Sequence, residues 1–593
     1  GGHRGPTPRG QVVSAGDRPL EPLTWHLANV AAKADARHVV TIIDRRENET
    51  ALHWSEIHDR SLAAARSLHA RGVRPGDRVG IVLQTEPAFF DAFFGCQLLG
   101  AVPTPLYPPV RLGRMDEYVD RTVAMLQAVE ATALVTSRRI QSLLGQVVAG
   151  AGLTHGVIDA GTLTRPAPEV DLPTAGLDDL AMVQFSSGTT QRPKPVALTH
   201  RQATANVRMI LDFIPLDAGI EQVGGSWLPL YHDMGLIGCV FVAIMGPGPL
   251  ALIPPEVFLS RPALWLRAIS RHRVTVCPAP NFAYALCAER VDDAEIEGID
   301  LSSWRLALNG AEPVAPSSLR NFNARFAAHG LRPEALTPVY GLAEASLAVT
   351  FSDPAEPFTT RTFDREQLAE GTAMTVDDPC GLELASVGVP LRETAVEVRD
   401  ADGSRVPEAV VGRIWVQSPS VMRGYLDREE QPIVDGWLET GDLGFLLDGE
   451  LYVTGREKDV VIVAGQNHAA ADLELATEGL AEVRTGCVVA ASDIDNDGER
   501  LMMFVECREF REGLAEDCRK AVLSRTGLNP DLVLLLDPGT LPRTSSGKIR
   551  RRETVSRFKS GELTPPKQVT PWLVAGAMAK SAWGYLSRWR TAP

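Results

Sequence analysis

The chain has 593 residues, of which 45% are apolar and 22% charged. That length allows about three to six domains and excludes a single small module. With 59 basic against 74 acidic residues, the formal charge of −15 disfavours non-specific binding to nucleic acid or anionic membrane. Its eight cysteines include no CxxC pair. This argues against a disulfide scaffold or Cys-based zinc site and fits a reducing cytoplasm.

Residues 1–18 contain no apolar run, so they read as a disordered lead-in rather than a secretory signal. LTWHLANVAAKA and SEIHDRSLAAARSLHARG carry helical periodicity. A turn at Val73–Asp77 leads into the buried-strand run Arg78–Leu83, and FFDAFFGCQLLGA reads as an apolar helix. TALVTS, LAMVQFSS and RVTVCPA read as short strands. This β–α alternation predicts an α/β fold with a mostly parallel sheet covered by helices on both faces.

From about residue 385 the texture becomes β-rich with Asp-Gly turns, as in a small antiparallel unit. After Arg456 follows a compact α+β module of about 110 residues. PPKQVTP is a short Pro-rich linker. The last stretch, Trp572–Arg590, carries Trp572, Trp583 and Trp589 among small and basic residues. It reads as a tail packed on its own body, or as an amphipathic helix against a partner or a membrane surface. No run is apolar and long enough for a transmembrane helix.

Five segments carry candidate chemistry. In LAMVQFSSGTTQRPKPVALTH, an apolar strand runs into Ser186-Ser187-Gly188-Thr189-Thr190 and then Lys194. Small hydroxyl residues and glycine let backbone N–H groups approach phosphate oxygens, and Lys194 adds charge. Thr199 and Gln202 have capping-box spacing for the next helix. The second segment, YHDMGLIG (231–238), sets a His-Asp pair beside apolar residues. Asn309-Gly310-Ala311-Glu312-Pro313 with TPVYGLAEAS (337–346) is the third. It offers Tyr340 for stacking on a base and Glu344 for Mg²⁺. The fourth, GWLETGDLG with GELYVTGREKDVVIVAGQNH, offers Asp442 to ribose hydroxyls and Arg456 to ribose or phosphate. In the fifth, PRTSSGKIRR, Lys548 sits in a Ser/Gly loop. Lysine is scarce in this arginine-rich chain, eight against 51 arginines, and three of the eight fall inside these segments. Two prolines spoil the GxGxxA match at 246–251 as a dinucleotide loop, and there is no GxSxG elbow.

Together and in this order, the five segments resemble the adenylate-forming superfamily, and most closely its fatty acyl-AMP ligase branch. The resemblance implies a large N-terminal domain of layered α/β sheets over 19–455. It would contain an inserted segment near 352–386 and a β-barrel-like subdomain near 385–455. A small mobile α+β domain over 456–564 and a linker and tail over 565–593 would follow. Ser187, Thr189, Thr190 and Lys194 would line the phosphate loop. Gly310, Ala311 and Glu312 would border the adenine, with Tyr340 stacking on it beside Gly341. Glu344 would hold Mg²⁺, Asp442 the ribose, and Arg456 ribose or phosphate. His232, Asp233, Met234 and Gly235 would lie beside the acyl group, with His232 also counted among the catalytic residues. Lys458 falls at the hinge, and Lys548 would reach the α-phosphate and the substrate carboxylate. Gln191 and Pro195 stand where the family's phosphate loop usually has glycine.

The implied activity is ATP- and Mg²⁺-dependent activation of a fatty acid to acyl-AMP. The acyl group then passes to the phosphopantetheine thiol of an acyl carrier protein, or of a carrier domain in a polyketide or peptide synthase. The alternatives are a fatty acid–CoA ligase and a non-catalytic nucleotide- or lipid-binding protein. The branch's inserted segment, which disfavours transfer to coenzyme A, argues for the first.

Overall fold

The computed structural model describes residues 19–33, 35–109, 115–186, 193–214, 221–429, 431–463, 466–495, 498–544, 548–565 and 581. The expected lead-in, the tail from Trp572 (apart from Ser581) and the phosphate-loop residues Ser187, Thr189 and Thr190 lie outside them.

The first half does not form one parallel sheet. A nine-stranded sheet runs in the spatial order Val389–Pro390, Ala348–Phe351, Leu336–Gly341, Leu306–Asn309, Val276–Ala279, Gly224–Ser226, Leu250–Leu252, Val39–Ile43 and Glu49–His53. Its central pairs are parallel and its edges antiparallel. A separate four-stranded parallel sheet holds the predicted strands Arg78–Val82 and Ala133–Thr136 between Val102–Leu106 and Gly156–Asp159. The predicted strand Leu180–Phe185 pairs antiparallel with Pro195–Thr199, in a third sheet completed by Gly424–Tyr425. The run LAMVQF is buried on both faces wherever it pairs, so its hydropathy does not disclose its direction.

The helices form where the sequence directs them. Helix Pro87–Leu99 starts on a proline at its first turn and stops at Gly100, with φ 77°, as helix-end chemistry favours. It is largely apolar and mostly buried, its Asp91 and Gln97 included, with Phe93 packed against Phe241 at 5.8 Å. Helix His200–Phe213 opens with the predicted capping box. Thr199 accepts from the Gln202 amide, and Gln202 returns a bond to the Thr199 amide.

The β-rich stretch forms an antiparallel sheet of Ala395–Arg399, Gly412–Gln417, Trp437–Leu447, Ile433–Val434 and Glu450–Arg456. Asp448 and Gly449 turn its main hairpin with φ 53° and 77°, the signature of a two-residue turn matching strand twist. Between residues 352 and 386, Thr360–Phe363 pairs with Leu382–Ala385. Phe363 packs on Phe445 and Tyr452 of the neighbouring sheet.

Beyond residue 460, the sheet Val483–Asp495, Gly498–Cys507 and Leu532–Leu536 packs with helices Ala470–Glu478, Leu514–Thr526 and Arg551–Lys559. Among the described residues, every buried apolar cluster lies either wholly at or before residue 453 or wholly at or after residue 461. Among the described residues no apolar core bridges the two parts. Polar contacts do: Arg557 to Glu117 at 2.7 Å, Thr485 to Glu289 at 2.8 Å, and Arg508 to Glu289. Arg365, in the segment 352–386, pairs with Asp472.

Candidate active site

Parallel strands place their carboxyl ends on one edge of a sheet, where crevices form. Here Gly224–Ser226, Val276–Ala279, Leu306–Asn309 and Leu336–Gly341 run side by side. The residues at or just past the ends of three of them are 231–235, 310–312 and 340–344, so one edge gathers segments that are distant in sequence.

The strand Leu306–Asn309 leads into Gly310, where a side chain would meet Val339 Cγ2 at 2.7 Å. Ala311 is held at φ 70°. A non-glycine residue in this region is uncommon and carries backbone strain. Glu312 accepts from the Phe282 amide at 2.6 Å. Burial raises its pKa, while the charges of Lys548, Arg543 and Arg551 pull the other way.

Tyr340 is buried and donates through its hydroxyl to Asp442 Oδ2 at 2.7 Å. Arg456 Nε donates to Asp442 Oδ1 at 3.0 Å. Asp442 and Arg456 are direct partners across the hairpin, so backbone register holds the pair. The Asp442 carboxylate raises the Arg456 pKa further. At Gly341 a side chain would strike Leu347 O at 1.8 Å, so only glycine lets the chain double back before Glu344.

Glu344 accepts from Tyr425 Oη at 2.8 Å, and Lys194 Nζ lies 3.4 Å from the same oxygen and 5.0 Å above the Tyr425 ring. Burial lowers the Lys194 pKa and Glu344 partly restores it. Pro195 opens its strand, the position where a missing N–H is tolerated, and its carbonyl still accepts from Leu426 at 3.1 Å. Tyr425 was not singled out from the sequence. Its signal is a Gly-Tyr pair in MRGYLD, and only the pairing of Gly424–Tyr425 with Val196 and Ala197 brings it to Lys194.

His232 and Asp233 meet at 2.6 Å, and Asp233 also accepts from the Met234 amide at 2.7 Å. Burial opposes the Asp233 charge, but His232, Lys548 and that amide together hold its pKa below the usual range.

Lys548 enters from the other part of the molecule. Its loop is closed by Thr544 N to Lys548 O at 2.7 Å and by the bridge between Arg543 and Ile549. Burial and then Arg456 lower its pKa, while Asp233, Glu312 and Asp442 raise it. The ammonium therefore lies within electrostatic reach of the His-Asp segment, the 310–312 loop and the Asp442–Arg456 pair together. Lys458 sits in the 3₁₀ turn Glu457–Asp459 between the two parts, and its carbonyl accepts from Arg552 at 3.1 Å.

Among the described residues, no three or more His, Cys, Asp or Glu side chains cluster as a metal site. Mg²⁺ is commonly held by one or two carboxylates together with substrate phosphates, and Glu344 is a carboxylate that could serve in that way. No helix among the described residues is long and apolar enough to cross a membrane.

The family model for AMP-binding enzymes matches residues 27–426. The chain belongs to that family, and its architecture is the adenylate-forming fold. Among its relatives, a putative acyl-CoA synthetase of Caulobacter vibrioides is 34% identical, with 87% of this chain and 92% of the relative covered. The long-chain-fatty-acid–AMP ligase FadD26 of Mycobacterium marinum is 33% identical, with 87% and 96% covered. A solved structure from work on fatty acyl-adenylate ligases of E. coli and L. pneumophila aligns with a TM-score of 0.84 at 33% identity. It covers 92% of this chain and 99% of that one.

Proposed function

We propose that the protein activates a fatty acid with ATP to acyl-AMP and then delivers the acyl group to a carrier-bound phosphopantetheine thiol. The carboxylate attacks the α-phosphorus of ATP. A P–O bond to the acid forms as the P–O bond to pyrophosphate breaks. In the second half-reaction the thiol displaces AMP. The observation that carries the reading is that the buried Lys548 ammonium lies within electrostatic reach of Asp233, Glu312 and Asp442.

Two anions must meet in the first step, so catalysis is mostly positioning and charge stabilisation. Lys548 supplies the ammonium between acid and nucleotide. Asp442 and Arg456 orient the ribose, Tyr340 and the 310–312 loop border the base, and Lys194 serves the phosphates with Ser187, Thr189 and Thr190. Glu344 would hold Mg²⁺, which neutralises charge on the leaving group. His232 and Asp233 shape the acyl entrance with Met234 and Gly235.

Residues 456–564 act as a separate mobile unit in this reading, and the division of apolar clusters at 453/461 supports it. Lys458 is its hinge, so Lys458→Pro is expected to slow acyl transfer more than adenylation. Equal loss in both half-reactions would count against the hinge.

The relatives' names divide between acyl-CoA synthetase and fatty-acid–AMP ligase. The Arg365–Asp472 tie from the segment 352–386 to the C-terminal unit accords with the AMP-ligase reading, in which that segment restrains the unit and disfavours transfer to free CoA. Mass spectrometry of products from a panel of acids, with and without CoA, is the test. Accumulated acyl-AMP supports the proposal, and rapid acyl-CoA formation would replace it with the CoA-ligase reading. If no acid supports pyrophosphate exchange into ATP, a non-catalytic binder becomes the better account.

A further inference from the structure

Ser581, the last described residue, is 1% exposed, and its Oγ accepts from the Gly145 amide at 2.7 Å. Two positions 436 residues apart in the chain therefore meet in a buried contact. The chemistry above uses neither of them.

Gly145 explains how so close a meeting is possible. It opens the helix Gly145–Ala151, and its φ lies outside the left-handed region, so any residue could adopt its backbone. What a side chain lacks there is room. A Cβ would lie 1.7 Å from Ser581 O, 2.4 Å from Ser581 C and 2.7 Å from Ser581 Cα, its three nearest atoms. Helices favour alanine over glycine, so the glycine answers to the residue packed on it. Leu144, just before it, gives no side-chain cap, and the Ser581 hydroxyl supplies the acceptor instead.

This contact continues the seat of the C-terminal unit. Helix Gly145–Ala151 shares an apolar cluster with helix Met115–Ala128, through Val147 and Ala151 on one and Tyr118 and Met125 on the other. Helix Met115–Ala128 in turn receives the unit's last helix, Arg551–Lys559. Glu117 accepts from Arg557 at 2.7 Å, and Arg121 lies 3.8 Å from Glu553. The last helix and Ser581 thus rest on two helices that pack against each other.

We infer that the end of the chain is a second tether for the C-terminal unit, with Ser581 anchored on Gly145. The unit is then held at both its ends, by the turn Glu457–Asp459 and by this anchor. Between residues 565 and 581 the chain can span at most about 50–60 Å, enough for the unit to leave its seat while the anchor holds. A second attachment keeps the local concentration of the unit high, so the exposed ion pairs re-form after they exchange.

The test uses the full chain and needs no turnover, so it stands apart from the adenylation reading. Trypsin cleaves after lysine, and the Lys580–Ser581 bond is shielded while Ser581 is buried. Cleavage there, followed by mass spectrometry, is expected to rise roughly tenfold in Gly145→Ala, where the new methyl has no room and the anchor opens. Without the anchor the same substitution favours the helix and leaves the bond as it was, so an unchanged rate overturns the proposal. Ser581→Glu attacks the contact from the other side and leaves the large part's own residues intact. Hydrogen exchange over residues 145–151 should quicken in it by a similar factor of roughly ten. Exchange over the seated helix Arg551–Lys559 distinguishes a tether from a resting place. It should quicken about threefold or more in both variants; no change there, with Ser581 released, overturns the tether. Loss of protection throughout the chain in Gly145→Ala, with Ser581→Glu like the parent, would make Gly145 a glycine of the large part alone and overturn the anchor.

Discussion

The floor of the groove and the seat of the C-terminal unit both rely on carboxylates meeting arginines, yet their surroundings differ. On the floor, Asp442 is 6% exposed, locked by Tyr340 and by Arg456 across a hairpin register. At the seat, Arg557 reaches a Glu117 that is 46% exposed, and among the described residues no apolar cluster joins the parts. Exposed ion pairs contribute about 0–1 kcal/mol each, whereas breaking a buried one costs several. The comparison teaches that the Asp442–Arg456 pair is preorganised, while the lysine-bearing unit is fastened by a buried tie, Arg365–Asp472, together with exposed pairs weak enough to exchange.

The sharpest way to break this comparison is Lys548→Ala. Pyrophosphate release should fall by about 10²–10³, as for loss of a well-placed donor, while AMP binding on the floor persists. Near-normal adenylation would remove the lysine from its assigned role. Because burial lowers the Lys548 pKa, its proton leaves at lower pH than for a free lysine. Adenylation should therefore decline as pH rises through that depressed value, and the alkaline limb should move upward in Lys548→Arg.

Next is Asp442→Ala, expected to cost about 2 kcal/mol of stability in denaturant unfolding. This is below the full range for buried pairs because Arg456 keeps contact with solvent. An unchanged unfolding midpoint would mean that the floor is not locked as described.

A similar or smaller effect is expected at Glu478, whose carboxyl accepts from Gly486 N at 2.8 Å and whose pKa burial pushes up to about 7. An acid with a raised folded pKa takes up a proton on folding. Its cost is absent below the ordinary value of 4.5 and complete once pH passes about 7. Glu478→Gln keeps the acceptor, so it should stabilise the chain by about 1–2 kcal/mol at pH 8 and by almost nothing at pH 4. Equal effects at both pH values would refute the assignment.

The smallest effect belongs to Arg557→Gln, about 1 kcal/mol or less in seating and fading at high salt. A large loss that salt does not alter would show that the seat is not held by exchangeable pairs.

Much of the groove was legible because its residues travel in short local patterns. Gly310 to Glu312, Tyr340 to Glu344, and Asp442 with Arg456 each sit together in sequence; strand order brings the first two to one edge, and the Tyr340–Asp442 hydrogen bond joins the third from its own sheet. The capping box at Thr199 and the Asp448-Gly449 turn are local chemistry and were readable for the same reason. Tyr425 was not, because it meets Glu344 across 81 residues without a motif of its own. The Arg365–Asp472 tie spans 107 residues, and the Arg121–Glu553 approach depends on how the two parts seat. The direction of Leu180–Phe185 was hidden because an apolar run satisfies either pairing.

Of the eight cysteines, all free, seven are buried and Cys380 alone is exposed. Its carbonyl accepts from Arg365 Nε at 2.7 Å, one side chain away from Asp472. A maleimide dye would accordingly label the unmodified polypeptide at a single address, right beside the tether to the C-terminal unit. Fluorescence from that one spot could then follow opening and closing in real time, without any engineered thiol.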